Sequence, residues 1–229
     1  ALALLASLSA TVLPVLLGPQ VFLYDHLLGH LPGPLYDEAV EIRRPLLIFR
    51  LLTLAWGAAF VGLAGLGWRA GRIGRPALRP AALALLAGAG LFLAWGHAER
   101  DAIGWMQSNE TVARALGGRI EGERCTVIHP RAMKRARVER FVQECDARVG
   151  ELEAFFGVRA DRPTVFLYAD RDEKRRLVGA ASTNFAKPWL NQVHVDDRGF
   201  PHPVLEHELA HLVAGRIGRP PFGVAAVLG

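Results

Sequence analysis

Apolar positions are spread unevenly along the 229 residues, and most crowd into the first hundred. Three near-continuous runs stand out: ALALLASLSATVLPVLLGPQVFLY (1–24), LLIFRLLTLAWGAAFVGLAGLGW (46–68) and PAALALLAGAGLFLAWGHA (80–98). Each approaches the roughly 20 residues a helix needs to cross a bilayer. The pattern therefore predicts a membrane domain over 1–98 with three transmembrane helices, the third of marginal length. No small-x-small cleavage site follows the first run, which continues through Pro14 to Tyr24, so it reads as an uncleaved span. A start at Ala1 suggests that something has been trimmed ahead of it. Arg50 is near enough to one end of the second run to reach the headgroups, and Trp68 and Trp95 stand where interfacial anchors do.

Beyond residue 98 the pattern changes to that of a folded aqueous domain. After a polar connector (99–122), the β-branched run RCTVIHP, closed by Pro130, predicts a strand. In 131–157, Val138, Phe141, Val142, Cys145, Val149, Leu152, Phe155 and Phe156 recur every three or four residues, which predicts an amphipathic helix ended by Gly157. RPTVFLYAD (162–170) predicts a buried strand and RDEKRRLVG a short helix or turn. NQVHVDD reads as a half-exposed strand whose polar face carries Gln192, His194 and Asp196. Neither an internal repeat nor a low-complexity segment is evident. Strand, long helix, two strands and a final helix imply a small α/β layer packed on helices.

Charge refines this picture. The formal net charge is +5, yet residues 98–229 hold 20 Lys plus Arg against 18 Asp plus Glu. The excess sits in RAGRIGRPALRP, where Arg69, Arg72, Arg75 and Arg79 occur without an acid. Short Arg-rich loops stay cytoplasmic, which places 25–45, with Asp25, Asp37, Glu38 and Glu41 against Arg43 and Arg44, outside, and 99–229 outside as well. The expected location is a multi-pass cell membrane, with the lipid bilayer as a partner. Near-balanced charge and the lack of a basic aromatic surface argue against nucleic acid. The run 131–140 reads as a solvated face, because Glu139 and Glu144 interrupt it. Both cysteines, Cys125 and Cys145, belong to the external part, where a disulfide is permitted; alternatively, Cys145 is a buried thiol on the apolar stripe.

The candidate chemistry lies in PHPVLEHELAHLVAG (201–215). Pro203 suits the first turn of a helix and Gly215 its end, so about 203–214 should be helical. Residues four apart share a helix face, so His207 and His211 can direct ring nitrogens at one zinc ion, about 2.0–2.1 Å away. Glu208 lies off that axis, close enough to polarise a bound water as general base. Leu205, Leu209 and Leu212 face elsewhere and can pack into a core. The plain alternative is a capped surface helix with solvated histidines. His194 and His202 are weaker candidates for contact with substrate or a transition-state oxyanion, each weighed against a surface or capping role. His129 reads as structural, and nothing is assigned to His26, His30 or His97.

On these residues, the segment 120–215 resembles the gluzincin side of the HExxH metallopeptidases, particularly the bacterial peptidase MA-like domains. The resemblance implies an α + α/β chain: N-terminal transmembrane helices, then a zincin-like α+β domain (99–229) with a small mixed sheet, a long helix and the HExxH helix. It further implies zinc bound by His207 and His211, Glu208 as general base, a peptide or protein substrate, and NQVHV bordering the substrate cleft. The pattern departs from the family after His211, where LVAGRIGRPPFGVAAVLG offers no Asp, Glu, His or Cys. The metzincin extension also fails, since Ala214 and Ile217 occupy its glycine and third-histidine places. The third metal ligand is therefore expected beyond residue 229, the domain being incomplete as written. A prenyl-protein or heat-shock type membrane peptidase and a noncatalytic membrane sensor or scaffold are the competing expectations.

Overall fold

The computed structural model describes residues 12–13, 15–27, 29–32, 43–67 and 78–217. It is a mixed α/β structure whose residues fall into two units. Outside the described residues lie 1–11 of the first expected span, Trp68 with Arg69, Arg72 and Arg75, the acids Asp37, Glu38 and Glu41, and the segment 218–229.

In the first unit, β1 (Phe22–Asp25) pairs antiparallel with β2 (Gly29–Pro32). This corrects the expectation of a span running to Tyr24. Residues 15–17 are helical, but the chain leaves the helix at Gly18-Pro19, because proline supplies no N–H and disfavours helix in the residue before it. The second and third runs do form long helices, α1 (Arg44–Gly67) and α2 (Leu78–Ala98). Both are long and apolar enough to cross a membrane over Arg44–Leu66 and Pro80–Ala98, with only 17% and 22% of their most apolar windows buried by protein. Gly62 allows them to approach closely: a Cβ there would stand 2.7 Å from Leu86 Cγ and 3.1 Å from the Ala82 carbonyl. A short helix, α3 (Arg100–Ile103), follows.

The second unit takes in residues 17–21 and continues from Ser108. The expected polar connector is in part folded, as α4 (Asn109–Leu116) and β3 (Gly117–Glu121). Ser108 caps α4 reciprocally: its hydroxyl accepts from the Thr111 N–H, and the Thr111 hydroxyl accepts from the Ser108 N–H. Threonine here does the work of the usual Glu or Gln of a capping box, which hid the signal. Then come β4 (Thr126–Pro130), α5 (Arg135–Phe156), β5 (Thr164–Tyr168), α6 (Arg171–Val178), β6 (Phe185–Lys187), β7 (Gln192–Asp196) and α7 (Leu205–Ala214). The Asp170 carboxylate caps α6 by accepting from the Glu173 N–H. The five strands run in the order β3-β4-β5-β7-β6; β4, β5 and β7 are parallel, and β3 and β6 are antiparallel edges.

Helices cover both sheet faces. Val127, Val165, Leu167, Val193 and Val195 meet the apolar stripes of α5 and α7 on one side. Ile128, Phe166, Tyr168 and Phe185 meet Val112, Leu116, Leu177 and Val178 of α4 and α6 on the other. This overturns the half-exposed reading of NQVHVDD. All five residues of β7 are buried, since the strand is paired on both edges and its polar face lies under helices, as parallel sheets require. The α5 stripe is buried from Val138 to Leu152, but Phe155 is 82% exposed and Glu144 is buried in its stead.

The open question of the cysteines is resolved by a Cys125–Cys145 disulfide that ties the start of β4 to α5. Next to it the Asp146 carboxylate accepts from the backbone N–H groups of Glu123, Arg124 and Cys125 at 2.8–2.9 Å. The turn before β4 is thereby clamped to the helix twice.

Candidate functional site

The orientation of α7 follows from its leucines. Leu205, Leu209, Leu212 and Val213 are buried against α5 and the sheet, which leaves His207 on the exposed face and His211 half-buried beside it. Their Nε2 atoms lie 3.1 Å apart, and the rings stand edge to face with centroids 4.7 Å apart at 89°. Two nitrogens about 2.0–2.1 Å from a tetrahedral zinc would be separated by about 3.3 Å. The observed spacing therefore fits two ligands of one ion. The same contact is a hydrogen bond when one ring carries the proton. Burial, and then the neighbouring His207, hold His211 below the ordinary histidine pKa, which favours the neutral ring a metal requires.

Glu208 is 7% exposed. Burial raises its carboxyl above the ordinary value, against the opposing pull of His207 and Lys174. So the helix carries the three residues that the motif singled out: the two imidazoles meet, while Glu208, next to His207 in sequence, is turned into the buried side. Among the described residues, no third His, Cys, Asp or Glu joins the pair to complete a metal group.

The two weaker candidates lie elsewhere in the architecture. His194 is fully buried, sandwiched between Phe166 and Phe185 at 4.7 and 4.6 Å with nearly parallel rings. It presents no exposed atom to a substrate, and the surface role weighed for it is ruled out by its central strand. Burial, together with Lys187 and Lys174, holds it well below the ordinary histidine pKa. His202 is buried too. Its Nε2 donates to the Asp196 carbonyl at 2.8 Å, and its backbone N–H donates to Glu144 Oε1 at 2.7 Å. It pins the β7–α7 loop rather than capping the helix, whose N-cap is Val204. His129 is buried, with Nδ1 against the Pro130 carbonyl, in the structural role expected.

A buried ionic cluster behind the site went unread in the sequence. Lys174, with 0% exposure, donates to Asp196 Oδ1 at 2.6 Å and to Asn184 Oδ1. Arg198 donates to Asp196 Oδ2 at 2.9 Å. Burial alone would raise the Asp196 carboxyl, but Arg198 and Lys174 outweigh it and hold it below its ordinary value. Asp196 ends β7 and its carbonyl receives His202, so the cluster fixes the strand end from which the loop to α7 departs. Neither a family model, a curated protein nor a solved structure matches the chain.

Proposed function

We propose that the chain is a membrane-anchored zinc metallopeptidase with its site on α7. One observation carries the reading: two imidazole nitrogens 3.1 Å apart on one helix face, with a buried carboxyl next to the first of them in sequence. His207 and His211 would hold the ion through Nε2. Bound zinc would supply a Lewis acid for the scissile carbonyl and lower the pKa of a water toward about 7. Glu208 takes up the proton of the attacking water and passes it to the leaving amine. The burial that raises its proton affinity suits that role.

The membrane side of the proposal is a multi-pass protein of the cytoplasmic membrane with the peptidase part extracytoplasmic. Two long apolar helices, the arginines of 69–79 and a disulfide, which persists in oxidising compartments, support it.

The test is zinc content and peptide hydrolysis of the full chain purified in detergent. Wild type should carry zinc and cleave a quenched-fluorescent peptide library. Glu208→Gln should keep the zinc and lose at least 100-fold in rate. Retained hydrolysis in that variant refutes the base assignment, and a zinc-free wild type refutes the metal site.

A further inference from the structure

A cavity of about 200 Å³ opens between the first turns of α5 and the loop from β7 to α7, lined by Lys134, Arg140, Phe141, Glu144, Leu167 and Phe200 among others. Its charges are unevenly satisfied. Arg137 and Asp197, also in the lining, neutralise each other through two hydrogen bonds. Lys134 and Arg140 are exposed and have no carboxylate partner among the described residues, and the Arg140 guanidinium lies over the Phe200 ring, 5.5 Å from its centre.

The floor is the opposite. Glu144 is 8% exposed. Its Oε1 accepts from the His202 N–H, whereas Oε2 is buried with no hydrogen-bond partner. A buried carboxylate oxygen without a donor is costly, and such groups in folded proteins are nearly always satisfied. A donor from outside the chain would satisfy this one.

These features restrict the ligand. A simple cation would meet Lys134 and Arg140 at the mouth, and a simple anion would leave Oε2 without a donor. A zwitterion answers both. Phe141, Leu167 and Phe200 add an apolar wall, and the volume is below the roughly 300–1,000 Å³ of pockets for drug-sized ligands. We propose that this cavity binds one free α-amino acid with an apolar side chain, its ammonium donating to Glu144 Oε2 and its carboxylate paired with Arg140 and Lys134. The site is separate from the residues of the proposed metal centre and does not depend on that reading.

Isothermal titration of the full chain in detergent with L-phenylalanine tests it, with L-phenylalaninamide and N-acetyl-L-phenylalanine each removing one charge of the ligand. Saturable binding of one L-phenylalanine per chain is expected, at least ten-fold tighter than either analogue. Arg140→Ala should weaken it about ten-fold. Glu144→Gln keeps an acceptor for the His202 N–H, but can set an amide N–H₂ where the ammonium needs an oxygen, and should abolish binding. If that variant does not fold, Arg140→Ala, at an exposed position, decides. No saturable binding by wild type, equal binding of the amide, or unchanged affinity in Arg140→Ala overturns the proposal.

Discussion

The hydroxyl of Tyr168 and Nδ1 of His194 meet at 2.9 Å in the interior of the second unit, where neither residue has any exposed surface. The ring is held neutral there by burial and by two lysines. Its pKa is thus lower in the folded chain than the value of about 6.5 in an unfolded one. Below about pH 6.5 the unfolded chain takes up a proton that the folded chain refuses, so this ring's contribution to stability is full above that pH and is lost as pH falls. Unfolding free energies from urea titrations at pH 7, 6 and 5 should decline, by up to about 1.4 kcal/mol per pH unit for this one proton. His194→Gln should flatten that slope. An unchanged slope would mean that the ring titrates normally. Asp196, also depressed, sheds its contribution only near and below the ordinary carboxylate range of about 4, so the windows separate.

Lys174 and Asp196 are a buried pair, and burial sets the cost of breaking them. Both are nearly inaccessible, and Nζ to Oδ1 is 2.6 Å. Lys174→Met should cost about 3 kcal/mol, the low end for a broken buried pair, since Arg198 still serves the carboxylate. Arg135→Ala removes an exposed pair with Glu139 and should leave the denaturation midpoint unmoved. Equal effects from the two variants would show that the burial of Lys174 is energetically irrelevant.

Periodicity made part of this fold legible. Val138 to Leu152 at three- and four-residue spacing gave α5, TVFLY gave β5, and the leucines around HELAH gave α7, because those segments bury one stripe or whole strand. What escaped was set by partners distant in sequence. Glu144 sits among arginines and reads as solvated, and it is buried because the His202 N–H, 58 residues away, needs its oxygen. Gln192, His194 and Asp196 alternate like a wet strand face, which is dry because distant residues cover it, Phe166 and Phe185 against His194 and Lys174 of α6 against Asp196. The three residues of β6 are too few to carry a period. The motif put His207, Glu208 and His211 on one helix, whereas His194 and His202 were drawn into packing roles by those same long-range contacts.

The disulfide makes a prediction that is independent of the metal. Cys125 and Cys145 are 20 residues apart and both wholly buried. Closing a loop of that length stabilises by about 3 kcal/mol through the unfolded chain. The double Cys125→Ala, Cys145→Ala variant should lose about that much in a urea titration. The wild type, denatured without reductant, should show no thiol reactive to a maleimide. One or two labelled thiols per chain would disprove the pairing, and with it one support for an extracytoplasmic location.

Finally, the approach of the two histidines depends on the packing beneath them. Leu209 lies between His207 and His211 in sequence, faces inward and is 0% exposed in the cluster that joins α7 to α5 and the sheet. Truncating a buried leucine costs about 2–5 kcal/mol, according to the cavity left. In Leu209→Ala the helix can shift into that space, and the two rings lose the fixed separation that suits a single ion. Zinc affinity should therefore fall along with stability, although the variant removes no metal-binding atom. Leu47→Ala in the exposed part of α1 is the control and should change neither. Equilibrium dialysis against a zinc-buffered solution reads the affinity. If Leu209→Ala loses stability but holds zinc as tightly as wild type, the rings converge by their own flexibility, and packing of α7 does not preorganise them.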